Sequence, residues 1–203
     1  MTPDSAVLEA LDRIDAFWQN TATPVFDDDA LEVVASSPEA IETLIGIASD
    51  ETAPLGRRYA AAEAIAQSGA TAILAKDAGA ARAVAMMLVS AMTRDQIHNR
   101  WGLPGYFVGE TGKLLLALGP SVPDALRLLQ ADERPLNIIG SEGATLQHAH
   151  RYRIRDLAGY LLAKHQGLPW HDDPDPAVRD RHIGRRPEPP IETSEQPSSR
   201  RRS

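Results

Sequence analysis

The chain has 203 residues, 43% hydrophobic and 24% charged, which is enough for one domain with a sizeable core. Cysteine is absent, so disulfides, thiolate metal sites and cysteine nucleophiles are excluded. The net charge of −7 is unevenly spread: residues 1–50 hold eleven carboxylates against Arg13, leaving the rest of the chain at about +3. An acidic end of this kind disfavours nucleic acid and either suits a basic partner or simply keeps the chain soluble.

The opening MTPDSAVLEALDRIDAFWQN predicts an amphipathic helix from about residue 3 to residue 20. It has no basic start, and no apolar run in the chain approaches the roughly 20 residues of a membrane span, so a soluble cytoplasmic protein is expected. A short helix around residues 28–36 completes an expected acidic cap over residues 1–36. Ser37-Pro38-Glu39 then reads as an N-cap, a first-turn proline and a favourable acid. The helix it opens carries one apolar stripe, Ile41, Leu44, Ile45 and Ala48, and breaks at residues 50–54. A second helix follows over residues 55–68, with Ala61, Ala62, Ala64 and Ile65 expected inside and Gly69 suited to a left-handed close.

This pair recurs. Thr111-Gly112, Leu114-Leu115 and Gly119 fall where Ala61-Ala62, Ala64-Ile65 and Gly69 stand, and Ala158-Gly159 and Leu161-Leu162 do so again, with Gly167 one residue late. Ahead of them, Val84, Met87, Leu88 and Ala91, then Val122, Ala125, Leu126 and Leu129, repeat the first stripe. Strand signals are scarce and alanine and leucine dominate at helical spacing, so the chain reads as all-α. Small residues at the fifth and sixth positions of each second helix are expected to let stacked pairs approach, giving an α-solenoid.

The segment SPEAIETLIGIASD through RRYAAAEAIAQSG resembles a HEAT repeat, with Asp50 in the inter-helix turn and Arg58 opening the second helix. ALGPSVPDALRLLQADERP, followed after an insertion by RIRDLAGYLLAKHQG, is similar, with Asp132 and Arg155 in those places. The middle unit departs, having Val108 where arginine is expected. The resemblance covers residues 37–167. It implies a short right-handed α-solenoid of about three HEAT-like helix pairs with N- and C-terminal capping helices, the repeat domain running over residues 37–186. It also implies a scaffold, adaptor or inhibitor-type protein, although some HEAT-like proteins bind DNA or act as enzymes. A last short helix near residues 176–184, with Val178 and Ile183, is expected to cover the far end. PEPPIETSEQPSSRRRS, residues 187–203, predicts a flexible tail.

Chemistry is expected at two long inter-helix loops, TRDQIHNRWGLPGY and ADERPLNIIGSEGATLQHAHRY, which leave the same edge of the array. This brings His98, Arg100, Trp101 and Tyr106 near His148, His150 and Arg151. Trp101, Tyr106 and Tyr160 are the expected partner anchors, with Arg100, Arg151 and Lys164 as orienting charges. The competing reading is that Trp101 and Tyr106 pack the loops down. A metal-dependent or other enzyme at the His98/His148/His150 edge is a rival, yet His148 and His150 diverge on a helix and no carboxylate stands at metal spacing. The glycines of GLPGYFVGETG lack phosphate-loop spacing, no nucleophile elbow is present, and no cofactor is expected. RYRIR and the terminal arginines keep a nucleic-acid-binding alternative open against the overall charge.

Overall fold

A computed structural model describes residues 3–20, 40–95 and 97–183. The described chain is mostly helical, as the sequence predicts, and adds one two-stranded hairpin that the all-α reading does not include. Helix α1 (Pro3–Asn20) packs on α3 (Leu55–Gln67), which pairs with α2 (Ile41–Ser49). A short α4 (Thr71–Lys76) leads into α5 (Ala78–Met92). The hairpin β1 (Gly102–Leu103) and β2 (Phe107–Val108) precedes α6 (Glu110–Ala117), and a 3-10 turn over Gly119–Ser121 enters α7 (Val122–Arg127). Helices α8 (Ser141–His150), α9 (Ile154–Gln166) and α10 (Pro176–Asp180) complete the described residues. Ser37-Pro38-Glu39, the helix expected at residues 28–36 and the tail at residues 187–203 lie outside the described residues. Among the described residues no helix is long and apolar enough to cross a membrane.

The local causes are those written in the sequence. Asp77 caps α5 by accepting from the amides of Gly79 and Ala80 at 2.9 and 3.0 Å. Gly69, Gly119 and Gly167 close their helices at φ 74°, 70° and 67°, a conformation that costs any residue with a Cβ. Arg58 turns back from α3 to the carbonyl of Ala48 at 3.2 Å, tying the first helix turn.

The core follows the stripes. Leu44, Ala48, Val84, Leu88, Ala91, Val122, Ala125 and Leu126 are fully buried, as are Ala61, Ala62, Ala64, Ile65, Thr111, Leu115 and Leu161. Two series of helix contacts run through the molecule: α2 on α5 and α5 on α7, and α3 on α6 and α6 on α9. The small residues of two second helices serve a different purpose from the one expected. A Cβ on Gly112 would lie 2.3 Å from the Trp101 carbonyl oxygen, and one on Gly159 would press on Ile183 and Trp170. Gly112 therefore makes room for the inserted hairpin and Gly159 for the C-terminal segment.

Candidate interaction site

The two long loops do meet, through directed hydrogen bonds. The backbone N–H of His98 donates to the Asn137 carbonyl at 2.7 Å, and the Asn137 N–H donates to His98 Nδ1 at 3.0 Å. Asn99 repeats the pattern with its side-chain amide, donating to the Ile139 carbonyl at 2.8 Å and accepting from the Ile139 N–H at 2.9 Å. On its other side the same segment pairs with the chain around Arg153: the Leu136 N–H donates to the Tyr152 carbonyl and the Ile154 N–H to the Arg134 carbonyl, each at 2.9 Å. Residues 134–139 are thus an extended spine whose backbone is hydrogen-bonded along its length.

Helix α8 hangs from this spine. Gln147 Nε2 donates to the carbonyls of Leu136 and Tyr152, both at 2.9 Å, and the Tyr106 hydroxyl donates to Glu142. No residue of α8 is buried. The junction leaves Tyr106 57%, Ile139 55% and Phe107 38% exposed. Two open grooves flank it. One, of about 580 Å³, separates α8 from the spine; the other, of about 490 Å³, runs past Asn99, Phe107 and Lys113.

Beneath the junction lies a polar cluster that anchors the first loop. Trp101 is fully buried, its ring stacked on Tyr59 at 6.0 Å and its Nε1 donating to Asp95 at 2.5 Å. Arg100 pairs with the buried Glu63 at 2.6 Å, which also accepts from Thr111, whose hydroxyl is 2.8 Å from that of Tyr59. Burial pushes the Asp95 carboxyl up to about 7, the hydrogen bond from Trp101 opposing it. Burial also holds His98 below the ordinary imidazole value.

Placement divides the residues expected to meet a partner. Tyr106 and Arg151 are in solvent, and Lys164 lies exposed over the Tyr160 ring at 5.4 Å. Trp101 and Tyr160 are corrections. Trp101 is a core residue, and Tyr160 is 3% exposed, packed edge-on against Trp170 at 5.8 Å. Arg100 pairs with Glu63 while its side chain stays 34% exposed and lines the smaller groove.

The histidines of the rival site take separate tasks. His98 is buried in the loop ladder, His148 lines the larger groove, and His150 stacks on Tyr152 at 4.9 Å beside Asp172. Among the described residues no three His, Asp or Glu side chains are grouped as metal ligands. The basic run RYRIR is mostly neutralised: Arg153 pairs with Asp156 at 3.0 Å and Asp180 at 2.5 Å, and Arg155 with Glu133 at 3.2 Å.

Sequence reasoning missed Glu63, Asp95 and Gln147. A single acid inside the alanine run of RRYAAAEAIAQ was the available sign for Glu63; the other two carry none. No family model matches the chain, and no curated protein or solved structure matches it.

Proposed function

We propose that this chain is a HEAT-like helical-repeat module that binds another protein, with the junction of its two long inter-helix loops as the recognition face. A left-handed glycine at the end of each second helix, three buried stripes and two series of helix contacts support the repeat reading. The observation that carries the binding reading is α8. None of the ten residues of this helix is fully buried, and its apolar contact with the core is the part-buried Leu146, yet it is fixed in place by Gln147 and Tyr106. Together with Tyr106, Phe107 and Ile139 it forms an exposed, partly apolar surface on a rigid base, the combination found where proteins meet partners. The acidic bias of residues 1–50 favours a partner that is not a polyanion and is basic where it meets that end.

Affinity purification from the native cell, followed by titration of the purified partner, tests this. Changing Tyr106 and Ile139 together to serine removes two exposed side chains and the Tyr106 bond to Glu142, while the two Gln147 bonds continue to hold α8. It is expected to weaken binding at least about tenfold with unchanged circular dichroism. Equal binding by the double variant overturns the reading.

A further inference from the structure

Helix α8 runs between two fixed points. Before it, Asn137 and Ile139 are hydrogen-bonded to His98 and Asn99. After it, the Tyr152 hydroxyl donates to Asp172 at 2.6 Å and the Arg153 N–H to Asp156 at 2.8 Å. The ten residues between are poor material for a free-standing helix, since isolated helices shorter than about 12–15 residues are marginal in water. Gly143 and Thr145 lower the helical preference further. No side chain caps the start at Gly140, and the helix closes at Arg151, whose φ of 51° makes it the one non-glycine residue with positive φ among those described. A Cβ disfavours that conformation, which Gly69, Gly119 and Gly167 supply at other helix ends.

Side-chain contacts therefore hold α8 down: Gln147 on the carbonyls of Leu136 and Tyr152, Tyr106 on Glu142, and the part-buried Leu146. Beneath them lies Ile138, which is 5% exposed although its neighbour Ile139 is in solvent. A Cβ on Gly143 would stand 2.7 Å from Ile138 Cγ2, so α8 passes directly over that side chain. The fixed points survive without α8, because the Tyr152 carbonyl keeps its bond from the Leu136 N–H when Gln147 departs. By contrast α5 buries nine of its fifteen residues and α9 eight of its thirteen.

We propose that α8 is a strap that opens by local unfolding while the rest of the fold stays intact, and that its opening uncovers Ile138. Regions with few buried contacts open at a small fraction of the cost of global unfolding, whereas helices buried like α5 and α9 open only with the whole molecule. Opening releases Arg151 from its disfavoured backbone and adds Ile138 to the apolar surface of Tyr106, Phe107 and Ile139. The strap opens whether or not this junction meets a partner, so its test needs none.

Because the chain has no cysteine, one introduced thiol reports one position. Ile138→Cys places it under the strap and Val84→Cys in the buried face of α5. With a chromogenic disulfide reagent on the folded full-length chain, the Ile138→Cys thiol is expected to react at least about a hundredfold faster than the Val84→Cys thiol. Two further changes move that rate in opposite directions. Gln147→Ala, which removes two bonds, is expected to speed it at least about tenfold; Arg151→Gly, which suits the closed end, is expected to slow it about threefold. Neither is expected to change the Val84→Cys rate. Equal rates for the two thiols, or a Gln147→Ala change that speeds both alike, would show that Ile138 is uncovered only by global unfolding and overturn the proposal. An Ile138→Cys rate that ignores both changes would show that the reagent arrives without any opening, and overturns it too. Hydrogen exchange of the unaltered chain is a second measurement: amides of residues 141–150 are expected to be at least about a hundredfold less protected than those of α5 and α9, and equal protection contradicts the strap.

Discussion

Asp95 follows α5 and lies under Trp101, whose indole N–H donates to it, while the nearby Arg100 pairs with Glu63. The folded chain therefore holds the Asp95 proton up to about pH 7, whereas the unfolded chain releases it near 3.8. Between these values the folded state binds one more proton. The stability that Asp95 contributes is fully present below the unfolded value and is lost as pH rises through 7. His98 acts in the opposite sense: its lowered value means stability present above 6.5 and lost as pH falls. A variant separates the two. Asp95→Asn keeps an acceptor for Trp101 and is expected to exceed wild type in stability by about 2–4 kcal/mol at about pH 8 and by far less at about pH 4. Urea unfolding at the two pH values, followed by tryptophan fluorescence, checks it, and an equal difference at both would contradict the assignment.

Helices in this chain stop and approach one another where glycine permits, but the glycines do different work. Gly46 sits inside α2 with nothing within 4 Å of where an alanine methyl would stand, so alanine there adds only helix propensity. Gly112 lies in the first turn of α6 with its α-carbon against the Trp101 backbone, where a methyl meets a carbonyl oxygen that cannot swing aside. Thermal melts should show Gly46→Ala stabilised by about 0.5–1 kcal/mol and Gly112→Ala destabilised by about 2–4 kcal/mol. Reversal of that order would mean that the hairpin is not seated on α6 as described. The capping of α9 belongs to the same scale. Asp156 accepts from the Arg153 N–H at 2.8 Å and from its guanidinium, as well as from Arg179 at 3.1 Å. Burial works against its charge, yet these donors hold its carboxyl below the ordinary range.

At the scale of the whole molecule, the last described helix, α10, is secured by the buried cation Arg179. Arg179 is 0% exposed, paired with Asp156, bonded to the Asp173 carbonyl and set over the Tyr152 ring at 5.0 Å. The sequence predicts that Val178 and Ile183 cover this end by apolar contact; Ile183 does approach Gly159, but the polar anchor goes beyond that expectation. Replacing Arg179 with methionine keeps volume and leaves Asp156 with one fewer cation. A loss of about 3 kcal/mol in urea unfolding is expected. No loss would show that α10 is held by its apolar contacts alone.

The sequence by itself determined where α2, α3, α5, α7 and α9 run, which of their faces are buried and which glycines close them. Those properties depend on helical period and on the φ preference of one residue, both of which act within a few positions of the chain. It also singled out the two long loops and Tyr106 and Arg151 within them. Tertiary structure decided the rest. Whether Trp101 faces solvent depends on Tyr59 and Asp95, and whether Glu63 can be buried depends on Thr111, 48 residues away. The hairpin is too short for a period, and α8 has too little apolar character for a buried stripe, so neither carries a local signal. The spine acquires its partners from His98 and Asn99, some 40 residues distant. Contacts over such separations are set by how the helices stack, which no local pattern encodes.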